Sequence, residues 1–234
     1  MCEHPEYNRD TNPYPSFGKK YNGEKAIISL TSWKKRIATC SKTIFSLIQQ
    51  CPGFHIVLVL SEEEFPRMCE ELPENLMLFV ENEMIELLWV YKNYRSFKKV
   101  LPTMDKYRDV PVISADDDCI YTCNYAQKFY DKWVSSGKKP ISIRWSYFAQ
   151  MMQKPSGASH FYYGLSKYVS DILKKLTKDV IKKTDDDEFL YHYLKGIKYN
   201  CTYCTKSQIK PFLFHDEIDA LHKHKNIKLG YTGE

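Results

Sequence analysis

The chain has 234 residues, a formal net charge of +5 and an aromatic content of 15%. A chain of this length can bury the core of one large domain or two small ones, and its apolar content excludes disorder over most of its length. The mild positive charge is well short of that of a dedicated nucleic-acid binder, so we predict no nucleic-acid partner. The same charge is compatible with a small anionic ligand.

The sequence favours a soluble protein of a reducing compartment. Its eight cysteines are scattered, the amino terminus does not have the pattern of a secretory signal peptide, and the longest apolar run, Phe54–Leu60, is far shorter than the roughly 20 residues of a membrane span. We therefore predict reduced thiols and a cytoplasmic location. Basic clusters at Lys182-Lys183 and at residues 222–225 leave open peripheral attachment to the inner face of a membrane, although solvated surface is the simpler interpretation.

The elements at the start of the chain are predicted as follows. Prolines and glycines with little apolar periodicity indicate an irregular arm over residues 1–24, and the ordered domain is expected over residues 25–234. Ala26–Thr31 is predicted as the first strand. Apolar residues at helical spacing predict a helix over Ile37–Ile48, which the following Cys-Pro-Gly sequence ends.

This alternation of strand and helix continues along the chain. Phe54–Leu60 is predicted as a strand, Ser61 as the cap of a helix whose first turn is Glu62–Glu64, and Leu76–Val80 as the third strand. Helices are then predicted over Phe97–Tyr107, Asn124–Ser135, Lys167–Leu176 and Asp186–Lys195, and strands at Val110–Ala115, Pro140–Arg144, Phe161–Tyr163 and near Lys198–Tyr203. Such alternation implies an α/β fold, with a mostly parallel sheet covered by helices on both faces.

Three adjacent carboxylates, Asp116, Asp117 and Asp118, directly follow the strand that ends at Ala115. Their mutual repulsion at the edge of an apolar core must be neutralised by a cation or by strong hydrogen-bond donors. In an extended segment Asp116 and Asp118 point the same way, and carboxylate oxygens are the ligands that Mg²⁺ and Mn²⁺ prefer. A metal site is the first interpretation, and an acidic turn or capped helix start is the alternative.

Three separated blocks of the sequence, residues 28–37, 60–66 and 114–121, occur in the order found in bacterial glycosyltransferases of the GT-A fold. The chain resembles these enzymes from about residue 25 to 205, and it is most similar to the family-2-like members that act on cell-surface polysaccharides. The resemblance implies a single GT-A-type, Rossmann-like domain with a mixed, mostly parallel sheet flanked by helices. It also implies a nucleotide-binding half over about 25–121 and an acceptor half over about 122–234.

The same resemblance implies a donor site. A nucleotide sugar, expected to be a UDP-sugar, would have its diphosphate held by Mn²⁺ or Mg²⁺ on Asp116 and Asp118, with Asp117 beside it. Other donor contacts would come from residues that match the family's base, ribose and phosphate positions: Thr31, Ser32, Arg36, Lys98 and Lys99. Two alternatives stay open, since the hydroxyl residues could instead cap a helix and the lysines could be solvated.

A second acidic cluster, at residues 185–188, resembles the family's acidic pair that opens a helix and carries the catalytic base. Asp187 is the first candidate for the base and Asp186 the second, because an inverting transfer needs a carboxylate to take the proton of the acceptor hydroxyl. The acceptor would be a glycan or a lipid-linked molecule. Thr184 and Asp187 also have the spacing of a capping box, which is the structural alternative.

Two other functions remain open from the sequence. Cys201 and Cys204, with His215, His222 and His224 downstream, could form a zinc centre in a module that binds nucleic acid or protein, although the histidine spacing is unusual. The segment Pro155–His160 stands where related enzymes have a glycine-rich acceptor loop, yet it contains one glycine. The domain could therefore also be a degenerate GT-A domain that binds nucleotide without turnover.

Overall fold

The structure is a computed structural model that describes residues 12–50, 52–139, 141–144, 160–198, 202–205 and 212–215. The strands in chain order are β1 Ser16–Gly18, β2 Ala26–Thr31, β3 Phe54–Ser61, β4 Glu86–Val90, β5 Val112–Ala115, β6 Cys119–Tyr121, β7 Ile141–Arg144, β8 His160–Tyr162, β9 Thr202–Thr205 and β10 Phe212–His215. The α-helices are α1 Ile37–Ile48, α2 Glu74–Glu81, α3 Leu101–Lys106, α4 Tyr125–Ser135, α5 Ser166–Lys175, α6 Lys178–Lys183 and α7 Asp186–Gly196. Two 3₁₀ helices span Met68–Glu71 and Arg95–Lys99.

Eight of the strands form one sheet in the order β1-β4-β3-β2-β5-β8-β7-β9. The central strands β4, β3, β2 and β5 are all parallel, β7 and β9 are parallel, and the remaining pairs are antiparallel. Strands β6 and β10 form a separate antiparallel pair. The predicted α/β fold, a single domain with a mixed, mostly parallel sheet, is confirmed.

The central strands are apolar on both faces because helices cover both faces. In β2 and β3 successive side chains alternate between two clusters: Ile28 and Leu58 pack with α1, α2 and α4, whereas Ile27 and Val57 pack on the opposite face. All eight residues of β3 are buried. Near-continuous burial of this kind is typical of parallel strands and gives the sheet a fixed position relative to the helices.

Strand order reverses beside β2. The chain runs from β2 to β3 and β4 on one side, and then crosses to place β5 on the other side of β2, with Leu30 opposite Ala115. In open α/β sheets the carboxyl ends of two such strands border a crevice that binds ligands. Here those ends are Thr31 and the Asp116-Asp117-Asp118 triplet.

The third predicted strand is wrong. Residues Leu76–Val80 lie in helix α2, in which Leu76 and Val80 are buried and Leu78 is 51% exposed. Buried residues four apart form one face of a helix, and a short apolar run does not by itself distinguish helix from strand. The predicted cap at Ser61 is also wrong, because Ser61 is the last residue of β3 and residues 62–64 form a turn.

The predicted helix Phe97–Tyr107 is divided into a 3₁₀ helix and α3. The break is at Val100, whose φ of −126° lies outside the helical range, and Pro102 stands in the first turn of α3, where its missing N–H is tolerated. The other predicted helices agree with α1, α4, α5 and α7 to within a few residues. The predicted strand near Lys198 overlaps β9 at Thr202 and Tyr203, and residues 199–201 lie outside the described part of the chain.

The predicted irregular arm contains strand β1, which pairs with edge strand β4. Gly18 ends β1 with φ of +81°, and a Cβ at this position would collide with the carbonyl oxygens of Ile85 and Val80. Three residues cannot form a stable strand alone, so the ordering of the arm depends on the tertiary pairing. Strand β10 and helix α6 were likewise not predicted.

A buried ionic cluster fixes the amino ends of β3 and β4. Glu86 accepts hydrogen bonds from His55 Nε2, Lys106 Nζ and Tyr107 Oη, each at 2.6 Å. Burial alone would raise the pKa of Glu86, but the His55 hydrogen bond and the Lys106 charge outweigh it and lower the pKa from 4.5 to about 2. A buried carboxylate with three donors is stabilised in its ionised form.

We expect this cluster to give the protein an acid-dependent stability. A carboxyl with a depressed pKa stabilises the fold fully above its ordinary pKa, and that contribution, on the order of 3 kcal/mol, is lost as the pH falls from about 4.5 to about 2. Urea unfolding of wild type and Glu86→Gln should differ most at pH 7 and converge near pH 2. Equal pH profiles for the two proteins would contradict this account.

Among the described helices, none combines the length and apolarity needed to cross a membrane. Cys40 and Cys119 are buried thiols outside any disulfide.

Candidate active site

The candidate site lies at the carboxyl ends of β2 and β5. Asp116, Asp117 and Asp118 follow β5, and Ser32 and Arg36 lie in the segment that joins β2 to α1. This segment and the triplet are held together by direct hydrogen bonds, so two sequence blocks that were predicted to form one site do meet. They lie at the reversal of strand order, which is where open α/β sheets usually bind ligands.

Asp117 is the structural centre of the triplet. Its carboxylate accepts from Ser32 Oγ at 2.6 Å and from Arg36 Nη1 at 2.8 Å, and Thr43 Oγ1 donates to its backbone oxygen at 2.9 Å. Burial raises the pKa of Asp117 to about 6, although Arg36 and Ser32 act in the opposite direction. Asp117 was predicted to contact the donor, but in this structure its carboxylate holds the β2–α1 segment.

Asp116 and Asp118 each have a basic partner. Lys99 Nζ donates to Asp116 Oδ1 at 2.9 Å, and Arg36 Nη2 donates to Asp118 Oδ2. The Asp116 backbone N–H donates to Tyr121 Oη at 2.8 Å, which fixes the turn that carries both carboxylates. The two outer acids of the triplet therefore flank a common space while the middle acid points into the protein, as the alternation of side chains predicted.

The ligand atoms of Asp116, Asp118 and Cys119 all lie within 4.8 Å of one another, so they could surround one metal ion. Burial raises the pKa of the Cys119 thiol well above its ordinary value, and Cys119 Sγ donates weakly to Asp118 Oδ1 at 3.6 Å. A protonated thiol is a poor ligand, so the two carboxylates are the effective donors. Oxygen donors fit Mg²⁺ or Mn²⁺, and the residues present therefore fit the predicted metal.

The second acidic cluster meets the first through Lys99. Lys99 Nζ lies 3.2 Å from Asp186 Oδ2 as well as 2.9 Å from Asp116 Oδ1. Burial lowers the pKa of Lys99, but Asp116 and Asp186 outweigh it and raise the pKa well above its ordinary value. Burial also raises the pKa of Asp186 to about 6, against the attraction of Lys99. Helix α7 therefore begins at the edge of the sheet that carries the acidic triplet.

Asp186 and Asp187 occupy different environments. Asp186 is 3% exposed, whereas Asp187 is half-buried and accepts the Glu188 backbone N–H at 2.9 Å through Oδ1. The structure does not contain the capping box that Thr184 and Asp187 were predicted to form as the structural alternative. The residue before α7 is Asp185, which makes no side-chain cap, and Thr184 Oγ1 donates backwards to Val180 O at 2.7 Å.

Lys98 and Lys99 were predicted to reach a phosphate, with solvated lysines as the alternative. Both side chains are buried, and Lys98 Nζ donates to Glu64 Oε2 at 2.9 Å and to Ser61 Oγ at 3.3 Å. Burial lowers the pKa of Lys98, and Glu64 partly offsets the effect. The pairing of Glu64 with Lys98 was not predicted, because the spacing of Glu64 from Ser61 suggested the first turn of a helix.

The two hydroxyl residues at the end of β2 do not cap α1. Thr31 Oγ1 donates to Val59 O at 2.6 Å, Ser32 Oγ donates to Asp117, and α1 begins after Arg36 without a side-chain cap. Thr31 therefore braces β2 against β3, and Ser32 belongs to the acidic cluster. Their predicted contacts with the nucleotide remain predictions.

The zinc hypothesis falls largely outside the described residues. Cys201, His222 and His224 are not described, and Cys204 and His215 are described only as backbone in β9 and β10. The segment 155–159 of the predicted acceptor loop also lies outside the described residues.

No protein-family model matches the chain, and no curated protein matches it by sequence. Solved structures do match. The mannosyltransferase PcManGT from Pyrobaculum calidifontis, in complex with GDP-Man and Mn²⁺, superposes with a TM-score of 0.54 at 11% identity, covering 93% of this chain and 67% of that chain. S. aureus TarS in complex with UDP gives a TM-score of 0.50 at 10% identity, covering 77% of this chain and 60% of that chain.

A proposed glucose-1-phosphate thymidylyltransferase from Bacillus anthracis also matches, with a TM-score of 0.50 at 12% identity over 90% of this chain and 96% of that chain. The chain spans 50% of the length of another match, the glycosyltransferase GlyE from Streptococcus pneumoniae TIGR4. At these identities the likeness establishes the fold alone. The GT-A-like fold is thus confirmed, and it is shared by glycosyltransferases and a nucleotidyltransferase, so the chemistry must be argued from the site.

Proposed function

We propose that the protein is a metal-dependent, inverting glycosyltransferase that moves a sugar from a nucleoside diphosphate sugar, expected to be a UDP-sugar, to a hydroxyl of a glycan or lipid-linked acceptor. One observation carries the proposal: the metal-ligating pair Asp116 and Asp118 and the acids at the start of α7 meet at one edge of the sheet, joined by Lys99. A transferase of this type needs both sets together, one for the leaving group and one for the incoming hydroxyl.

On the donor side, Asp116 and Asp118 would hold Mn²⁺ or Mg²⁺. When bound, such an ion neutralises the charge that accumulates on the leaving diphosphate. Thr31 and Ser32, at the end of β2, would lie against the base and ribose, and Arg36 carries a charge-assisted donor array that suits phosphate oxygens. Two proteins of similar fold were solved in complex with GDP-Man and with UDP, which supports a nucleotide ligand for this chain.

On the acceptor side, Asp187 is the proposed base. It would take the proton of the acceptor hydroxyl while the hydroxyl oxygen forms a bond to the anomeric carbon and the bond to the diphosphate breaks. Asp186 is more deeply buried and already faces Lys99, so it is better placed to orient the start of α7 than to receive a proton. Attachment to a membrane surface, which a lipid-linked acceptor would favour, remains a prediction.

The test is calorimetry with a panel of nucleoside diphosphates, with and without Mn²⁺, on wild type and Asp118→Asn. We expect one diphosphate to bind only with Mn²⁺, and Asp118→Asn to weaken that binding by about 100-fold because it removes one of two charged ligands. Asp109→Asn, an exposed acid away from the triplet, is the matched control and should bind as wild type. Metal-independent binding, or no binding to any diphosphate, would overturn the proposal.

The likeness to a thymidylyltransferase gives a second candidate, transfer of a nucleotidyl group to a sugar phosphate. The two reactions differ in their products. A glycosyltransferase releases a nucleoside diphosphate, whereas a nucleotidyltransferase consumes a nucleoside triphosphate and releases pyrophosphate. Pyrophosphate release from triphosphate and sugar 1-phosphate would favour the second candidate, and metal-dependent binding with neither product would favour a degenerate binding domain.

A further inference from the structure

Lys99 is placed between two carboxylates that belong to distant parts of the chain. It ends the 3₁₀ helix that precedes α3, and its ammonium group contacts Asp116 Oδ1 at 2.9 Å and Asp186 Oδ2 at 3.2 Å. The Lys99 residue is 7% exposed and Asp186 is 3% exposed. The bridge is therefore largely shielded from water, where ion pairs are screened least.

Asp186 depends on this bridge. Among the residues that the structure describes, its buried Oδ2 atom has no hydrogen-bond partner, so its one favourable polar contact is the ion pair with Lys99. Asp116 and Asp186 carry two negative charges against the single positive charge of Lys99. Without Lys99, the buried Asp186 carboxylate would face the partly exposed Asp116 carboxylate with no cation between them, which is unfavourable.

We propose that Lys99 is a positioning residue that joins the donor and acceptor sides of the site and lowers the affinity of Asp116 and Asp118 for a divalent cation, and that it is not a phosphate ligand. This inference rests on the proposed function, since it assigns a role within the same site. Lys99 holds α7 against the metal-bearing turn, and its positive charge beside Asp116 repels an incoming cation.

Loss of the Lys99 charge should change two quantities in opposite directions, raising Mn²⁺ affinity and lowering turnover, and this distinguishes the proposed role from phosphate binding. Removing the charge in Lys99→Met should raise the affinity for Mn²⁺ in the absence of nucleotide by about tenfold, a small part of the Coulomb interaction at these distances. The same variant should lose most of its turnover, because Asp186 and the start of α7 lose their anchor. A phosphate ligand would behave differently, since its loss would weaken binding of the nucleoside diphosphate and leave Mn²⁺ affinity unchanged.

The experiment measures Mn²⁺ binding by the loss of the free-ion electron paramagnetic resonance signal, diphosphate binding by calorimetry, and kcat and KM for the donor. Lys99→Arg keeps the charge, so its Mn²⁺ affinity should stay within about threefold of wild type and its turnover should exceed that of Lys99→Met. Lys174→Met removes an exposed positive charge on α5 and serves as the control for net charge. It should match wild type in all four measurements.

A double variant, Lys99→Met with Asp186→Asn, keeps the inference testable where the single variant fails to fold. It removes one charge of each sign, so its Mn²⁺ affinity should return to within about threefold of wild type while turnover remains low. Unchanged Mn²⁺ affinity in Lys99→Met together with diphosphate binding weakened by about tenfold or more would overturn the inference. A wild-type protein that binds neither Mn²⁺ nor diphosphate would instead overturn the proposed function.

Discussion

Asp187→Asn should bind the donor within about threefold of wild type and transfer sugar at least about 1000-fold more slowly, because the amide cannot accept the proton of the acceptor hydroxyl. Asn keeps an oxygen that can accept the Glu188 N–H, so the start of α7 should be undisturbed. The measurement is kcat and donor Kd on the same preparation. A lowered kcat with an unchanged Kd would separate loss of chemistry from loss of binding.

The matched control is Glu188→Gln. Glu188 is the next residue in the first turn of α7, it is acidic, and it is exposed. A general effect of removing negative charge at this helix terminus should appear equally in both variants, whereas loss of a base should appear only in Asp187→Asn. If Asp187→Asn transfers sugar at the wild-type rate, Asp187 has a structural role and Asp186 becomes the candidate base.

Asp117→Ala should destabilise the protein by about 3 kcal/mol and weaken donor binding as a consequence. The variant removes the acceptor for Ser32 and Arg36, and it leaves the buried Arg36 guanidinium with one fewer carboxylate. The segment between β2 and α1 should then lose its fixed position. Urea unfolding gives the change in stability, and calorimetry with diphosphate and Mn²⁺ gives the change in affinity.

Asp171→Asn is the control for this variant, because Asp171 is an exposed acid paired with Lys175 at 3.4 Å and lies outside the site. Exposed pairs of this kind contribute little, so we expect no measurable change in stability. A stable Asp117→Ala protein that nevertheless fails to bind diphosphate would contradict the structural role. It would support the direct donor contact that was predicted for Asp117.

The location of the acidic triplet could be predicted from the sequence because it depends on local order. An apolar strand followed directly by Asp116, Asp117 and Asp118 puts the carboxylates at a strand end, and the alternation of strand side chains puts the outer two on one side. Helix α1 could be predicted for the same reason, since apolar residues recur at its own period. In both cases the signal lies within about a dozen neighbouring residues.

Leu76–Val80 shows where this local reasoning fails. The run is apolar throughout, so its period cannot be measured, and burial of Leu76 and Val80 against the core made it a helix. Strand β1 shows the reverse case. Its three residues have no strand signal of their own, and pairing with β4 orders them.

By itself, the sequence determined that the acidic triplet directly follows a strand and that Asp186 and Asp187 stand at the start of a helix. Only the tertiary structure decided how that charge is balanced: Arg36 on Asp117 and Asp118, Lys98 on Glu64, and Lys99 between Asp116 and Asp186. The physical reason is that ion pairing acts over a few ångströms in space and is indifferent to separation along the chain. The partners of a buried charge are therefore fixed by the packing of the sheet and its helices.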